Sequence, residues 1–314
     1  MRSFEIGVVL PIAQYGADRE TPRWSVVREM AVQAESMGFD TVWIPDELLW
    51  QTEDGPPRGV WEGVAMAGAV AAVTSQVTVG TWVLSALHRN PGITAKVAET
   101  LDEISGGRFL FGLGAGHEWP GQARAFGLPE DRIFGRFDEA LQIIIPLLRE
   151  GRADFEGTWH AARNLQHRPV GPRPGKIPLL IGGNGPKGQR HAALHADIYS
   201  CYVEERAHPD EVAPRLISLD AICTEVGRDP ASIGRSVGVA VRPLEPAGVR
   251  PDVISGSAEE IATAFRSFRD VGFTRLEIML GPGTMEAFEA LGPVLERLEA
   301  AGNVVAAAPD AAPA

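Results

Sequence analysis

Two pairs of adjacent polar residues follow short apolar segments and carry side chains suited to acid–base chemistry. Asp46 and Glu47 come directly after the segment DTVWIP, and His117 and Glu118 follow the glycine-rich segment FGLGAG. Two neighbouring carboxylates can exchange a proton near neutral pH when burial raises the pKa of one of them. Each pair also has an ordinary interpretation: Asp46 as a helix cap beside a solvated neighbour, and His117 and Glu118 as exposed turn residues.

The segment IPLLIGGNGPKGQRHAALHAD runs from an apolar strand pattern through a glycine cluster into a helix pattern. Gly183, Gly185 and Gly188 match the dinucleotide fingerprint G-x-G-x-x-G. His191 and His195 have the spacing of a zinc-binding pair on one helix face. A third interpretation is a phosphate site at the N-terminus of the helix, where free N–H groups and the helix dipole attract an anion.

The rest of the chain favours the phosphate site. A dinucleotide fingerprint normally opens its domain and is followed about 20 residues later by an acidic ribose ligand, whereas Asp197 comes too early. The two histidines lack the glutamate of H-E-x-x-H and an evident third ligand, so we expect ordinary helix residues and no metal. Proline suits the first helical position, and lysine adds a positive charge. The phosphate site predicted on these grounds comprises Gly182, Gly183, Gly185, Pro186 and Lys187.

Eight apolar strand patterns alternate with eight helix patterns along the chain. This alternation is typical of an α/β fold of the (β/α)8 TIM-barrel type, in which functional residues collect at the C-terminal ends of the strands. A doubly wound sheet is the alternative, but no linker or break in composition divides the chain. The expected strands are 4–10, 40–45, 77–84, 108–114, 178–182, 197–202, 233–241 and 274–280, and the expected helices are 24–37, 60–74, 92–105, 132–150, 186–196, 209–227, 258–272 and 284–301.

Two stretches fall outside this repeat. Residues 151–176 are too many for a turn between the fourth helix and the fifth strand, so they predict an insertion, which we expect near the barrel mouth. Residues 303–314 consist mainly of small residues and prolines that offer little to a core, so they predict a disordered tail. We therefore expect one barrel domain over residues 1–302.

Composition narrows the classes of partner. The net charge is −12 and the 29 Lys and Arg residues form no basic run, which argues against nucleic acid as a partner. No long apolar segment indicates a membrane span, and Glu5 interrupts the first apolar run, so that run predicts a strand and not a signal peptide. We expect a cytoplasmic protein. Cys201 and Cys223 match no redox or zinc pattern and are interpreted as packing residues.

Five segments occur in an order that resembles a known family. They are GFDTVWIPDELLW, VTVGTWVLSALHRNPGITAKVAETLDEISGGRFLFGLGAGHE, RAFGLPEDRIFGRFDEAL, FEGTWH and IPLLIGGNGPKGQRHAALHAD. Together they resemble the luciferase-like flavin and deazaflavin oxidoreductases of the luciferase-like monooxygenase superfamily. The resemblance covers nearly all of residues 1–300, and it implies a (β/α)8 barrel with an insertion.

The resemblance also implies where a cofactor binds. Its phosphate would lie on the glycine loop, including Asn184, and its ring across the barrel mouth against the strand that ends at Leu84. Relatives often have a cis peptide that does not precede proline under the ring, and by position this bond joins Trp82 and Val83. The other positions that match family residues close to the ring are Asp46, Ser85, Gly114, Gly116 and His117.

One position departs from the family pattern. Relatives commonly have histidine directly after this aspartate, where it acts in proton transfer or substrate positioning, whereas this chain has Glu47. A desolvated carboxyl group can also transfer protons. The pattern of segments favours coenzyme F-420 as the cofactor, with FMN as the alternative. Arg89, Lys187 and Arg190 would offset the negative charge of the F-420 tail.

Three functions are compatible with these features. The first is an oxidoreductase that transfers a hydride between the cofactor and a small organic substrate, with Glu47, His117 and Asp46 as the catalytic candidates. The second is a two-component FMN monooxygenase that receives reduced flavin from a partner reductase. The third is a non-catalytic flavin-binding or dimerisation protein, in which Glu47 has removed the chemistry. The resemblance implies a homodimer, and an F-420 or flavin reductase is an expected partner.

Overall fold

The computed structural model describes residues 4–15, 20–50, 56–116 and 121–306, with side chains described as far as residue 300. The strands are β1 (Glu5–Val9), β2 (Thr41–Ile44), β3 (Leu49–Trp50), β4 (Arg58–Gly59), β5 (Thr78–Thr81), β6 (Leu84–Ser85), β7 (Phe109–Gly114), β8 (Arg152–Glu156), β9 (Ala161–Gln166), β10 (Leu179–Gly182), β11 (Ile198–Tyr202), β12 (Gly234–Arg242), β13 (Val253–Ser255) and β14 (Arg275–Leu280).

Helices connect the strands. They are α1 (Trp24–Met37), α2 (Gly63–Val73), α3 (Pro91–Ile104), α4 (Gln122–Phe126), α5 (Ile133–Glu150), α6 (Pro186–His195), α7 (Pro209–Glu225), α8 (Ala258–Asp270), α9 (Met285–Glu289) and α10 (Gly292–Ala306), with a 3-10 turn at Pro230–Ser232. The local sequence determines where several of these helices begin or end. Ser257 and Glu260 form a capping box at α8, and α1 stops at Gly38, whose φ of 83° suits glycine.

Eight of the described strands form a closed parallel barrel. Around the barrel they follow the order β1, β2, β5, β7, β10, β11, β12, β14, and β14 pairs with β1 to close it. Parallel neighbours joined through helices define a (β/α)8 TIM barrel. The fold class and the eight strand positions predicted from the sequence are therefore confirmed.

Side chains fill the barrel interior and make it a packed core. An added Cβ would lie 2.3 Å from Trp43 Nε1 at Gly7 and 2.2 Å from the Trp43 ring at Gly80, so both glycines make room for this indole. Trp43 donates its indole N–H to Glu277, which is fully buried and also accepts from the hydroxyl of Ser236 at 2.9 Å. Burial raises the pKa of Glu277. The open site must therefore lie at an end of the barrel.

The insertion is the antiparallel hairpin of β8 and β9, followed by an irregular return to β10. Its tip is fixed to α5, because Glu139 accepts hydrogen bonds from the backbone N–H groups of Thr158, Trp159 and His160 at 2.7, 2.7 and 2.9 Å. The ring of Trp159 lies over Gly135. The tip is thus on the mouth side of α5, as expected, while the body of the hairpin lies along the helix and not over the opening.

The sequence missed several short elements and one interruption. The expected helix 284–301 is two helices, α9 and α10, that meet at Gly292. Helix α10 continues to Ala306, beyond the expected start of the tail, and residues 307–314 lie outside the described part.

Cys201 and Cys223 are both buried, and they form no disulfide with each other. No helix among the described residues combines the length and apolar character that a membrane span needs.

Candidate active site at the barrel mouth

The C-terminal ends of the barrel strands surround an opening lined by partly exposed side chains. On β12, Gly238 faces the interior, because the Trp82 ring lies 2.4 Å from where its Cβ would be. Side chains alternate along a strand, so Ala240 and Arg242 face the same way. Trp82, Ala240, Arg242 and Met279 are all half-buried. Inward side chains that keep solvent contact mark the open end of the barrel above the packed core.

A surface made by one valine side chain and three glycines lies on one wall of this opening. The peptide between Trp82 and Val83 is cis, which confirms the bond expected from the resemblance. The methyl groups of Val83 lie 3.2, 2.8 and 3.5 Å from where Cβ atoms would be at Gly112, Gly114 and Gly182. Three glycines around one valine create a flat apolar surface on which a planar ring can lie.

The glycine loop after β10 adjoins this surface. Gly183 and Gly188 are in close backbone contact, since a Cβ at Gly183 would lie 3.1 Å from the Cα of Gly188. A Cβ at Gly185 would meet nothing within 4 Å. Helix α6 begins at Pro186, so the first N–H groups of the helix lack intrahelical acceptors. The close glycine contact and the open position beside a helix N-terminus fit an anionic group such as a phosphate.

Two loop side chains have roles that the sequence did not reveal. Asn184 bridges to the next strand, because its Oδ1 accepts from the backbone N–H of Tyr202 at 3.0 Å and its Nδ2 donates to the carbonyl of Tyr202 at 3.2 Å. This pair of bonds fixes the loop shape. The ammonium of Lys187 lies 4.9 Å from the ring centroid of Phe134. Lys187 is exposed and has turned towards α5.

Asp46 is the centre of a buried hydrogen-bond network. Its two carboxylate oxygens accept from the guanidinium of Arg89 at 2.7 Å each, and Oδ2 also accepts from the backbone N–H of Ser85 at 2.8 Å. Burial alone would raise the pKa of Asp46, but hydrogen bonds from His88 and Arg89 and the charge of Arg89 outweigh it and lower the pKa. Asp46 is thus an ionised residue that positions the strand end.

Two arginines expected to act on the cofactor have carboxylate partners in the chain. Arg89 also donates to Glu62 at 2.6 Å, and Arg190 pairs with Glu225 at 2.8 Å. Both arginines were expected to offset the charge of a cofactor tail. The Arg89 guanidinium is held by a buried carboxylate, whereas both members of the Arg190 pair are exposed, so its role with a cofactor stays a prediction.

His88 connects Asp46 to Gln122, a residue that no sequence pattern singles out. The His88 ring nitrogens lie 3.2 Å from Asp46 Oδ2 and 3.3 Å from Gln122 Nε2. Gln122 Oε1 in turn accepts from the backbone N–H groups of Leu48 and Leu49 at 2.8 and 3.1 Å. These bonds hold the segment that follows Glu47.

Glu47 is half-buried and has the carboxyl group best suited to proton transfer in the described mouth. Burial raises its pKa from 4.5 to about 7, and the negative charge of Asp46 adds to the rise. Its own backbone N–H and the nearby His88 act in the opposite direction. Burial, together with the charge of Glu47, also raises the pKa of Tyr15. A pKa of about 7 leaves both protonation states populated at neutral pH.

The remaining predicted site residues lie beside Asp46 or outside the described part. The hydroxyl of Ser85 accepts from the backbone N–H of Leu87 at 3.2 Å. Gly116 has a φ of 120°, and a Cβ there would lie 2.7 Å from Leu87 Cδ1, so both conformation and space call for glycine. His117 and Glu118 belong to residues 117–120, which lie outside the described residues.

The histidines on α6, His191 and His195, have the spacing of a zinc-binding pair. His191 lies 3.2 Å from Asp138 and packs edge-on against Phe137. Burial lowers the pKa of both His191 and His195. Within the described residues, no group of three or more His, Cys, Asp or Glu side chains is arranged to hold a metal ion.

Comparison with known proteins identifies the family. The family described as luciferase-like monooxygenase matches residues 4–247. The chain therefore belongs to the luciferase-like monooxygenase family, which confirms the family resemblance seen in the sequence. A solved F-420-dependent secondary alcohol dehydrogenase in complex with an F-420–acetone adduct superposes with a TM-score of 0.78 at 19% identity, covering 95% of this chain and 99% of that chain. This likeness supports the fold.

Two relatives have different activities in their names. An F-420-dependent glucose-6-phosphate dehydrogenase from Kineococcus radiotolerans is 35% identical over 193 residues, which cover 60% of this chain and 55% of that enzyme. The match thus spans little more than half of the relative. A pyrimidine monooxygenase, RutA, from Agrobacterium fabrum is 28% identical over 273 residues, covering 82% of this chain and 73% of the relative. Both relatives are oxidoreductases: the first is named as an F-420-dependent dehydrogenase and the second as a monooxygenase.

Proposed function

We propose that this chain is an oxidoreductase that uses coenzyme F-420 for hydride transfer to or from a small organic substrate at the barrel mouth. The observation that carries the proposal is the placement of Glu47, a half-buried carboxyl group with a pKa of about 7, at the opening that contains the glycine surface. Hydride transfer to or from a carbonyl or alcohol requires a proton to move as well, and such a group can hold it. The F-420-dependent relative favours this cofactor.

The residues present fit the cofactor. The apolar surface of the Val83 side chain with Gly112, Gly114 and Gly182 suits its flat ring, and the loop from Gly183 onwards suits its phosphate. When bound, F-420 accepts or supplies the hydride. The positions that we assign to cofactor binding are Asp46, Trp82, Val83, Ser85, Gly114, Gly116, His117, Gly182, Gly183, Asn184, Gly185, Pro186 and Lys187.

We assign different tasks to the polar residues of the mouth. Glu47 takes up the substrate proton in the oxidative direction and returns it in the reductive direction, and Tyr15 donates a hydrogen bond beside it. Asp46 is a positioning residue, because its oxygens are held by Arg89 and by the backbone N–H of Ser85. His117 stays a predicted second proton carrier. A substrate bound between these groups is shielded from bulk water by the walls of the opening.

The second candidate function is an FMN-dependent monooxygenase supplied by a partner flavin reductase. The RutA relative, which is 28% identical over 82% of this chain, favours it. Oxygen dependence separates the two functions, because hydride transfer proceeds without oxygen and monooxygenation consumes it. The homodimer and the cytoplasmic location suggested by the sequence remain predictions under either function.

Anaerobic turnover tests the proposal. Cofactor-free protein is loaded with F-420 and supplied with alcohols, and reduction of the deazaflavin is followed by absorbance; F-420 reduced chemically beforehand is used with carbonyls and alkenes. We expect turnover without oxygen and a loss of about 10²-fold or more in Glu47→Gln. Glu156→Gln, in an exposed ion pair on the hairpin, is the matched control. Turnover only with reduced FMN and oxygen contradicts the proposal.

A further inference from the structure

Arg242 is the last residue of β12, and it lies on the inward face of the barrel mouth. In the register of the two strands, Val241 pairs with Leu280, so Arg242 stands beside Gly281. A Cβ at Gly281 would lie 1.9 Å from Nη1 of Arg242. The guanidinium therefore lies directly over the backbone of Gly281, in the space that a side chain at this position would occupy.

This guanidinium has little to bind within the protein. Among the described residues it donates no hydrogen bond, and its nearest carboxylate is that of Glu245, at 3.8 Å from Nε. Asp252 is the other nearby acid, and its carboxylate is engaged by Arg250 at 2.6 Å. The Arg242 side chain is 30% exposed. Glu245 offsets part of the charge, but the N–H donors remain available.

Two other arginines have guanidinium groups near strand ends and, unlike Arg242, donate hydrogen bonds within the described part of the chain. Arg89 makes hydrogen bonds of 2.7 Å to Asp46. Arg215 donates to the carbonyl of Tyr202 at 2.5 Å and to Glu204 at 2.9 Å. Both have acceptors that satisfy their planar donor groups. Arg242 alone of these three faces the mouth without such an acceptor in the described chain.

The position of Arg242 relative to the proton-transfer groups suggests how a substrate lies. The segment after β14 separates them: Gly281 contacts Arg242, whereas Gly283, two residues later, lies 3.5 Å by its Cβ position from the ring of Tyr15. The charge of Glu47 in turn contributes to the raised pKa of Tyr15. One wall of the mouth thus has the guanidinium of Arg242 at one end and Tyr15 with Glu47 at the other.

We propose that Arg242, held in the notch over Gly281, binds an oxyanion group of the substrate, either a carboxylate or a phosphate ester. The inference rests on the proposed function, because it places the substrate at the same mouth. A guanidinium presents two parallel donors that match two oxygens of such a group. The substrate is then a small organic anion whose reacting carbon is directed away from Arg242, towards Glu47.

Calorimetric titration of two probes tests this site. Inorganic phosphate and acetate are titrated separately into cofactor-free protein and into protein loaded with F-420, at constant ionic strength. Loading fills the glycine loop, so that phosphate cannot bind there unnoticed. We expect saturable binding of at least one probe to the loaded protein and an affinity at least tenfold lower in Arg242→Gln. Arg163→Gln, at an exposed ion pair on the hairpin, is the matched control and leaves the affinity unchanged.

Gly281→Ala provides a second variant that keeps the charge. The added Cβ meets the flexible end of the Arg242 side chain. We therefore expect a folded protein in which the guanidinium is displaced and the affinity for the probe is several-fold lower. Loss of phosphate binding alone identifies a phosphate ester, and loss of acetate binding alone identifies a carboxylate. No saturable binding to the wild-type protein, or unchanged affinity in Arg242→Gln, overturns the inference.

The outcomes also separate this inference from the proposed function. If F-420 fails to bind but probe binding to the cofactor-free protein depends on Arg242, the proposed function fails and the oxyanion site stands. If F-420 binds and supports turnover while Arg242→Gln keeps full probe affinity, the proposed function stands and the oxyanion site is wrong.

Discussion

Asp46 and Glu47 are adjacent in the chain, yet their carboxyl groups have opposite electrostatic environments. Two hydrogen bonds of 2.7 Å join Asp46 to Arg89, and the pKa of Asp46 is lowered although burial opposes this. Burial raises the pKa of Glu47 to about 7, with a contribution from the charge of Asp46. One group is fixed as a carboxylate and the other can change its proton at neutral pH, which is the arrangement that separates positioning from proton transfer.

The pH dependence of turnover should report Glu47. In the oxidative direction the group must be ionised, so the rate should rise as the pH passes through about 7. In the reductive direction it must be protonated, so the rate should fall over the same range. Steady-state rates in both directions, measured from pH 5 to pH 9 in buffers of equal ionic strength, check the rise and the fall. If Glu47→Gln keeps the same inflection, another group is responsible.

Glu47 should also make stability depend on pH. Its folded-state pKa of about 7 exceeds the ordinary value of 4.5, so the folded state binds the proton more tightly than the unfolded chain. The unfolding free energy is therefore highest at low pH and decreases between about pH 4.5 and pH 7. Above pH 7, Glu47→Gln should be more stable than wild type by about 1–2 kcal/mol, allowing for partial exposure.

Urea denaturation of both proteins at pH 5 and pH 8 measures this difference. The advantage of the variant should be smaller at pH 5, since the wild-type residue is then largely protonated when folded. Equal stabilities at pH 8 would mean that the carboxyl group is well solvated and its pKa ordinary.

Removing the charge of Asp46 should destabilise the fold. Asp46→Asn leaves the half-buried Arg89 without its main carboxylate partner, and loss of one member of a buried pair costs about 3 kcal/mol or more. Because the folded pKa is lowered, the wild-type pair stabilises the protein above the ordinary pKa of aspartate and loses this effect as pH falls through the folded value. Asp131→Asn, which removes an exposed partner of Arg136, should change stability by less than about 1 kcal/mol.

The sequence predicted the barrel well because each strand is a short apolar run between glycine or proline signals. The positions of β7 and β10 and the start of α6 followed from this pattern. It could not predict the contacts of Gln122 or Arg242, since these depend on which strand ends become neighbours after the barrel closes. The pairing of Arg89 with Asp46 is likewise a contact between the separate loops that follow β2 and β6, so the local sequence suggested a ligand as the partner of Arg89.

The glycine loop allows a test in which fold and binding respond differently. Gly185 has a φ of −102°, and a Cβ there would meet nothing within 4 Å, so Gly185→Ala should leave thermal stability unchanged. The same methyl group would occupy the space assigned to a phosphate, and we expect F-420 affinity to fall about tenfold, or about 1.4 kcal/mol. Gly68→Ala in α2, where the Cβ makes an ordinary contact of 3.7 Å, is the control. Unchanged affinity in Gly185→Ala would place the phosphate elsewhere.

The identity of the cofactor is the central claim, and paired binding titrations test it most directly. Protein stripped of cofactor is titrated with F-420 and, separately, with oxidised and reduced FMN, following ring absorbance or fluorescence. The proposed function predicts saturable binding of F-420 at least tenfold tighter than that of either form of FMN. Tighter binding of reduced FMN would contradict it and identify a monooxygenase that depends on a partner reductase.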